Sequence, residues 1–250
     1  MLLPSALTLP RPGAADIVLN LLRDVRSYEE LVADYWAMHP RFLFLKNTPP
    51  NAKVLDFGAS DGGMSFWPGW MHPVRDDISL FAIDVAHGSQ FYRYAGADVV
   101  DVTKSPSRFT SASFDAVICA MTLEYIQNAR GALAEIARIT RPGGSLFVEY
   151  SGEYAVKVPR RTELERLQLF SDPINFYDDE DHAHLFNARF LDAELRAAGF
   201  TPTSHGTVRN NRLVPELLSH GLQTGNLETT SYGLRLAYGC ISYTVADRLP

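Results

Sequence analysis

The sequence predicts an α/β fold: a mostly parallel sheet covered by helices on both faces, preceded by N-terminal helices and carrying a lid. Three observations carry that expectation. Short apolar runs alternate with helical patterns between Val54 and Gly199, the rhythm of parallel strands joined by crossover helices. A glycine-rich turn, Gly58-Ala59-Ser60-Asp61-Gly62-Gly63, follows the first of those runs. A polar and aromatic stretch at 151–187 then interrupts the rhythm.

Residues 1–13 hold several prolines and read as an arm. From Ala14 to about Met38 the pattern is helical, with Ile17, Val18, Leu21 and Leu22 on one face and Leu31, Val32 and Tyr35 on another. Pro40 interrupts it, and a short apolar segment, 41–45, leads to Pro49-Pro50. Strand one is expected at 54–57. A helix opens at Gly62 and is ended early by the Trp67–Pro73 piece. Strand two is expected at 78–83, closing on Asp84, then a short helix at 89–94 and strand three at 97–100, closing on Asp101. Strand four is expected at 114–121. The amphipathic pattern at 130–139 is a helix stopped by Arg141-Pro142-Gly143-Gly144, with strand five at 145–150. A helix at 190–198 and a strand from Phe200 come next, then a loop-rich segment at 209–233 and a last strand at 234–245. The chain divides into an N-terminal arm with helices, 1–50, and one domain, 51–250, with the lid inserted at 151–187.

The 250 residues are 46% apolar and 21% charged, values of a globular enzyme rather than a disordered chain. A net charge of −6 argues against nucleic acid as the main partner. Two distant cysteines, Cys119 and Cys240, offer neither a disulfide framework nor a zinc pattern, and both sit in apolar runs as buried thiols do. Met1-Leu2-Leu3-Pro4 has no basic leader and no apolar run is long enough for a membrane span, so a cytoplasmic location is expected.

The turn selects its cofactor by charge. A dinucleotide site needs glycine where Ser60 stands, and the carboxylate of Asp56 would face phosphate charges. A sulfonium cofactor has no phosphate and two cationic centres, which favour acids beside the turn. Asp84 suits ribose hydroxyls, since a carboxylate accepts from two donors, and Asp101 with the Val102 amide suits an adenine edge.

The segments V-L-D-F-G-A-S-D-G at 54–62, F-A-I-D-V at 81–85, V-V-D-V at 99–102, S-F-D-A-V-I-C-A-M-T-L-E-Y-I at 113–126, E-I-A-R-I-T-R-P-G-G-S-L at 135–146 and L-R-A-A-G-F at 195–200 occur in order on the expected elements. With them the chain resembles the class I S-adenosylmethionine-dependent methyltransferases over about residues 50–200. The resemblance implies a Rossmann-like, seven-stranded sheet whose last strand is antiparallel. It implies S-adenosylmethionine as cofactor, with Asp56 and Gly58 near the methionine moiety, Asp84 on the ribose, Asp101 and Val102 at the adenine, Ala120 and Met121 lining the pocket, and Ser60, Gly62 and Val85 as further cofactor-binding residues. Ser60, where the family usually has Gly or Cys, and the long gap to Asp84 depart from the pattern.

The acceptor side is read from the lid. Asn175-Phe176-Tyr177-Asp178-Asp179-Glu180-Asp181-His182 resembles an N-F-Y-D-D-x-x-H segment of methyltransferases linked to saccharide biosynthesis, which implies a small hydroxylated, saccharide-type acceptor and O-methylation. His182 among acids is the candidate general base, with Asp179 and Glu124 as catalytic partners. Asp178, Asp179, Asp181, His182 and His184 are candidate ligands for a divalent metal, at a spacing that matches no defined site. Lys157, Arg160 and Arg161 form either an anion contact or a solvated face. Tyr28 and Tyr35 either close over the cofactor or pack. The 209–233 segment serves a homodimer contact or an acceptor pocket. The rival readings are methylation of another small metabolite, a nicotinamide-dependent oxidoreductase, and an inactive cofactor-binding module.

Overall fold

A computed structural model describes residues 26–166 and 171–250. The arm and the helical face at 17–22 lie outside the described residues. Seven strands form one sheet: β1 (Lys53–Phe57), β2 (Ser79–Asp84), β3 (Gly96–Val99), β4 (Phe114–Ala120), β5 (Thr140–Ser151), β6 (Phe200–Thr207) and β7 (Ile241–Arg248). Their order is β3-β2-β1-β4-β5-β7-β6. β1 to β5 pair in parallel, and β7 runs antiparallel to both neighbours, β5 and β6. This is the expected architecture, antiparallel last strand included.

Among the described residues eight helices accompany the strands: α1 (Tyr28–Ala37), α2 (Pro40–Lys46), α3 (Trp67–Trp70), α4 (Ala129–Ile139), α5 (Arg161–Arg166), α6 (Ala188–Ala197), α7 (Val214–Thr224) and α8 (Leu227–Tyr238). One face of the sheet is covered by α4 and α6 through Leu133, Ile136, Leu191 and Leu195. The other is covered by α2 and α3 through Phe42, Leu45, Trp67 and Met71. Each of these side chains is essentially removed from water, a gain of about 1.5–3 kcal/mol apiece.

Three expectations are corrected, and the segment 41–45, expected only as apolar, gains a structure. Residues 209–233 are not loop-rich: they carry α7 and most of α8. Pro215 sits in the first turn of α7, and Gly225 and Gly239 end the two helices at φ +71° and +63°. The last strand begins at Ile241 rather than Leu234, because 234–238 completes α8. Arg41 to Leu45 is helical, with Pro40 in the first turn of α2, where no amide is needed, and His39 as its cap. Finally, the glycine turn opens a 3-10 turn, Gly63–Phe66, and then the single turn of α3, rather than one helix from Gly62. Pro68 and Gly69 leave no room for a longer one.

Strand five is longer than its apolar run. β4 and β5 pair at Phe114 and Thr140, residues 141–144 stand out of the ladder, and pairing resumes between Ala116 and Ser145. The helix α1 starts at a capping box, Ser27 with Glu30, and packs on the α7–α8 hairpin. Tyr35 stacks on Tyr232 with centroids 3.9 Å apart, and Arg26 pairs with Glu216 at 3.1 Å. Among the described residues no helix is long and apolar enough to cross a membrane.

Candidate active site

The strand order brings the carboxyl ends of β1, β2 and β4 side by side, the place where such sheets hold ligands. The glycine turn is pinned across them. Gly58 and Ala59 amides donate to the Ile83 carbonyl at 2.8 and 3.1 Å, and the Ser60 amide donates to Asp84 Oδ2 at 2.7 Å. Beside the turn lies a cavity of about 300 Å³ whose wall includes Gly58, Ser60, Asp84, Val85, Asp101, Val102 and Met121. Seven expected cofactor residues thus converge. Ser60 (φ +52°) and Met121 (φ +51°) are in the left-handed region, which non-glycine residues rarely enter. A glycine would adopt that conformation at Ser60 more easily.

Asp56, Gly62 and Ala120 are not among the residues of this wall. Asp56 is buried and accepts a hydrogen bond from the Tyr94 hydroxyl at 2.6 Å. Burial pushes its carboxyl up to about 6, against the pull of Tyr94 and Arg41. Asp101 is engaged locally, by the Lys104 ammonium at 2.8 Å and by the Thr103 hydroxyl and amide at 2.6 and 3.0 Å. The Lys104 ammonium chiefly holds its carboxyl below the usual range.

A second, smaller cavity of about 60 Å³ adjoins the first: Met121 and Tyr125 line both. The lid residues Phe176, Asp179 and His182 form one side of it and Arg235 and Cys240 another. His182 Nδ1 lies 2.7 Å from the Phe176 carbonyl oxygen. A carbonyl only accepts, so Nδ1 carries the proton and, in the neutral ring, Nε2 holds the free lone pair. Nε2 is buried and has no partner among the described residues. The ring is fixed between Phe176, stacked at 4.5 Å, and Tyr125, at 4.6 Å. Asp179 accepts from the Tyr125 hydroxyl at 2.9 Å and from the Asp181 amide at 3.0 Å.

Glu124 is fully buried in the 3-10 turn after β4. Its carbonyl accepts from the Ala183 and His184 amides at 2.6 and 3.1 Å, and Oε1 from the Ser151 amide at 3.1 Å. Oε2 is unpartnered, and burial raises the carboxyl above its ordinary value. Glu124 therefore seats the lid directly behind His182.

Comparison with known proteins decides the family. The family model described as methyltransferase domain matches residues 28–205, more than half of the chain. The chain belongs to this methyltransferase family. The malonyl-[acyl-carrier protein] O-methyltransferase of Methylococcus capsulatus is 28% identical over 160 residues, 61% of this chain and 53% of that enzyme. The chain spans about half the length, or less, of the curated relatives it matches. Two solved structures share the fold. A SAM dependent methyltransferase from Archaeoglobus fulgidus aligns with a TM-score of 0.55 at 13% identity, covering 93% of this chain and all of that one. The 1,6-didemethyltoxoflavin-N1-methyltransferase of Burkholderia thailandensis, with bound S-adenosylhomocysteine, aligns with a TM-score of 0.51 at 18% identity, covering 96% and 92%.

The donor set fits S-adenosylmethionine, the cofactor that the resemblance implies. Two carboxylates stand in the wall of the larger cavity, and among the described residues no lysine or arginine lines it, Lys104 reaching Asp101 from outside the wall. That suits a cationic ligand without phosphate and not a dinucleotide.

The metal candidates diverge. Asp178 is held by Arg160 at 2.7 Å and by the Arg161 amide at 2.8 Å, and His184 Nε2 lies 3.0 Å from the Gln127 carbonyl oxygen. Among the described residues no three His, Cys, Asp or Glu side chains are grouped for a metal. The basic run of the lid is likewise absorbed: Arg160 clamps Asp178 and the Tyr177 carbonyl, and Lys157 lies over the Tyr154 ring. Tyr28 bonds to Glu228 and Tyr35 to the α8 ring of Tyr232, so both pack on the hairpin rather than on the larger cavity. Sequence reasoning missed Arg235 and Thr122. A strand reading of 234–245 put Arg235 on an alternating pattern that the helix does not follow.

Thr122 explains one glycine. A Cβ at Gly58 would lie 2.2 Å from Thr122 Oγ1, at a backbone φ of +81°. The variant Gly58→Ala should lose roughly 1–2 kcal/mol of stability to backbone strain alone. It should also lose most affinity for S-adenosylhomocysteine, as read by urea unfolding and calorimetry. Wild-type values for both would show that the turn yields easily.

Proposed function

We propose that the methyltransferase transfers the methyl group of S-adenosylmethionine to a hydroxyl of a small, saccharide-type acceptor. One observation carries this reading: a buried histidine nitrogen, His182 Nε2, has its lone pair free at the wall of a small cavity that shares Met121 and Tyr125 with the cofactor cavity. The cofactor supplies an activated methyl carbon for in-line displacement. The chain's residues bring the nucleophile to it and take its proton.

In this reading Asp84 accepts from the ribose hydroxyls, Asp101 and the Val102 amide meet the adenine, and Gly58 and Ser60 let the backbone approach the methionine end above Asp56. His182 Nε2 takes the hydroxyl proton. The Phe176 carbonyl and the two flanking rings hold the imidazole in the required tautomer and orientation. Asp179 fixes the Tyr125 hydroxyl, and Glu124 seats the lid. The lid segment 175–182 supports a saccharide-type acceptor through its resemblance, and nothing else bears on that choice.

Asp84→Ala should weaken S-adenosylhomocysteine binding about ten- to a hundredfold, the worth of one or two charge-assisted hydrogen bonds. Calorimetric titration checks it, and unchanged affinity would remove Asp84 from the site. A panel of hydroxylated acceptors, assayed for release of S-adenosylhomocysteine, tests the reaction itself. Turnover of amines or thiols in place of alcohols and sugars would overturn O-methylation.

A further inference from the structure

The cavity that holds His182 also holds a cation that nothing else in the proposed chemistry uses. Arg235, on α8, lines the 60 Å³ space together with His182, Ser151 and Asn175. No carboxylate among the described residues lies within 4.0 Å of its guanidinium. The two nearest candidate acids do not bond to it: Glu149 feels its charge through space but makes no ion pair with it. Asp179, on the same wall, accepts from Tyr125 and Asp181. Glu149, buried on β5, has Arg41 and His39 at 3.7 Å. A half-buried arginine without an ion pair is available to an anion, and its planar fork suits two oxygens of one anionic group.

The size of the space adds the second constraint. At about 60 Å³ the space is small against the roughly 300–1,000 Å³ of an ordinary ligand pocket, so it takes part of a molecule rather than all of one. Whatever reaches His182 Nε2 and Arg235 together places its hydroxyl and its charge close to each other. The remainder of the molecule must lie outside this space.

We propose that the acceptor carries a carboxylate or phosphate within a few bonds of the hydroxyl that is methylated, and that Arg235 holds this group while His182 faces the hydroxyl. The assignment rests on the O-methylation reading for His182, but the anion site can be measured without turnover. Wild-type protein loaded with S-adenosylhomocysteine is titrated calorimetrically with glucuronate, with glucose 6-phosphate and with glucose. At least one of the two anions should bind tenfold or more tightly than glucose. Tighter glucuronate identifies a carboxylate and tighter glucose 6-phosphate a phosphate. Arg235→Met, which keeps the aliphatic packing, should abolish the difference, and Arg235→Lys should restore part of it.

Equal affinities in the wild type, binding of none of the three, or an undiminished preference in Arg235→Met would overturn the proposal. A fall in melting temperature in Arg235→Met with the preference intact would assign the arginine to the fold instead. Anion binding with no methyl transfer to any hydroxyl would leave the anion site standing and remove O-methylation, whereas rapid methylation of neutral sugars by both proteins would do the reverse.

Discussion

Replacing His182 with alanine should lower kcat by about a hundredfold to ten-thousandfold, the usual worth of a positioned general base, and leave the affinity for S-adenosylhomocysteine unchanged. The two effects separate because His182 borders only the smaller cavity, whereas the turn residues Gly58 and Ser60 and the acids Asp84 and Asp101 border only the larger. The loss should fall on kcat rather than KM, since the proton moves in the transition state while most acceptor contacts lie elsewhere. His182→Gln is the companion variant: its amide can still reach the Phe176 carbonyl, which preserves the lid, but has no basic nitrogen. If both variants melt like the wild type and retain full turnover, His182 is not the base. If the alanine variant alone is inactive, the ring acts by holding the lid between Phe176 and Tyr125 rather than by taking a proton.

Asp56→Asn should stabilise the ligand-free protein at pH 7 by roughly 3 kcal/mol and weaken cofactor binding. The carboxyl of Asp56 rises from 3.8 to about 6 on burial, so the folded protein binds the extra proton between those values. Its contribution to stability is complete below about pH 4 and is lost as pH rises through about 6. Wild-type unfolding free energy should therefore fall across that window, and Asp56→Asn should flatten the slope. Tyr94 can keep its hydrogen bond, because an amide oxygen accepts it equally well. Urea unfolding of both proteins from pH 4 to 7.5 measures the effect, and parallel slopes would show that Asp56 is not the group responsible. In the proposed site the charge that destabilises the empty protein attracts the cationic end of the cofactor, and bound cofactor should recover the loss.

The sheet and the cofactor side were legible because their signals are local. An apolar strand, a turn with obligatory glycine and an acid at the next strand end are each set by neighbours in sequence, and the parallel order then brings Gly58, Asp84, Asp101 and Met121 to one cavity. The α7–α8 hairpin was not legible for a physical reason. Its polar residues Thr229, Thr230 and Ser231 are buried and satisfy themselves locally: Thr230 and Ser231 donate to carbonyls one turn back at 3.0 and 2.7 Å. A pattern that counts such residues as solvent-facing reads the helix as loop. The metal candidates failed for the opposite reason. Asp178 and His184 are close in sequence, but the lid turns between them, and each was bound instead by a group far away along the chain, Arg160 or Gln127. Arg235 had no signal at all, since its importance arises only when α8 meets the lid.

The hairpin leaves the sheet after β6 and returns to it at β7, and the Val208 amide donates to the Ile241 carbonyl at 2.9 Å where the chain departs and comes back. Thirty-odd residues, including Arg235, thus leave and rejoin the sheet at two neighbouring antiparallel strands, β6 and β7. Such an excursion is a cassette: its ends are fixed by the ladder whatever lies between them. A change of sequence within the cassette can therefore reshape the wall that Arg235 gives to the smaller cavity while the β6–β7 ladder keeps its ends in place.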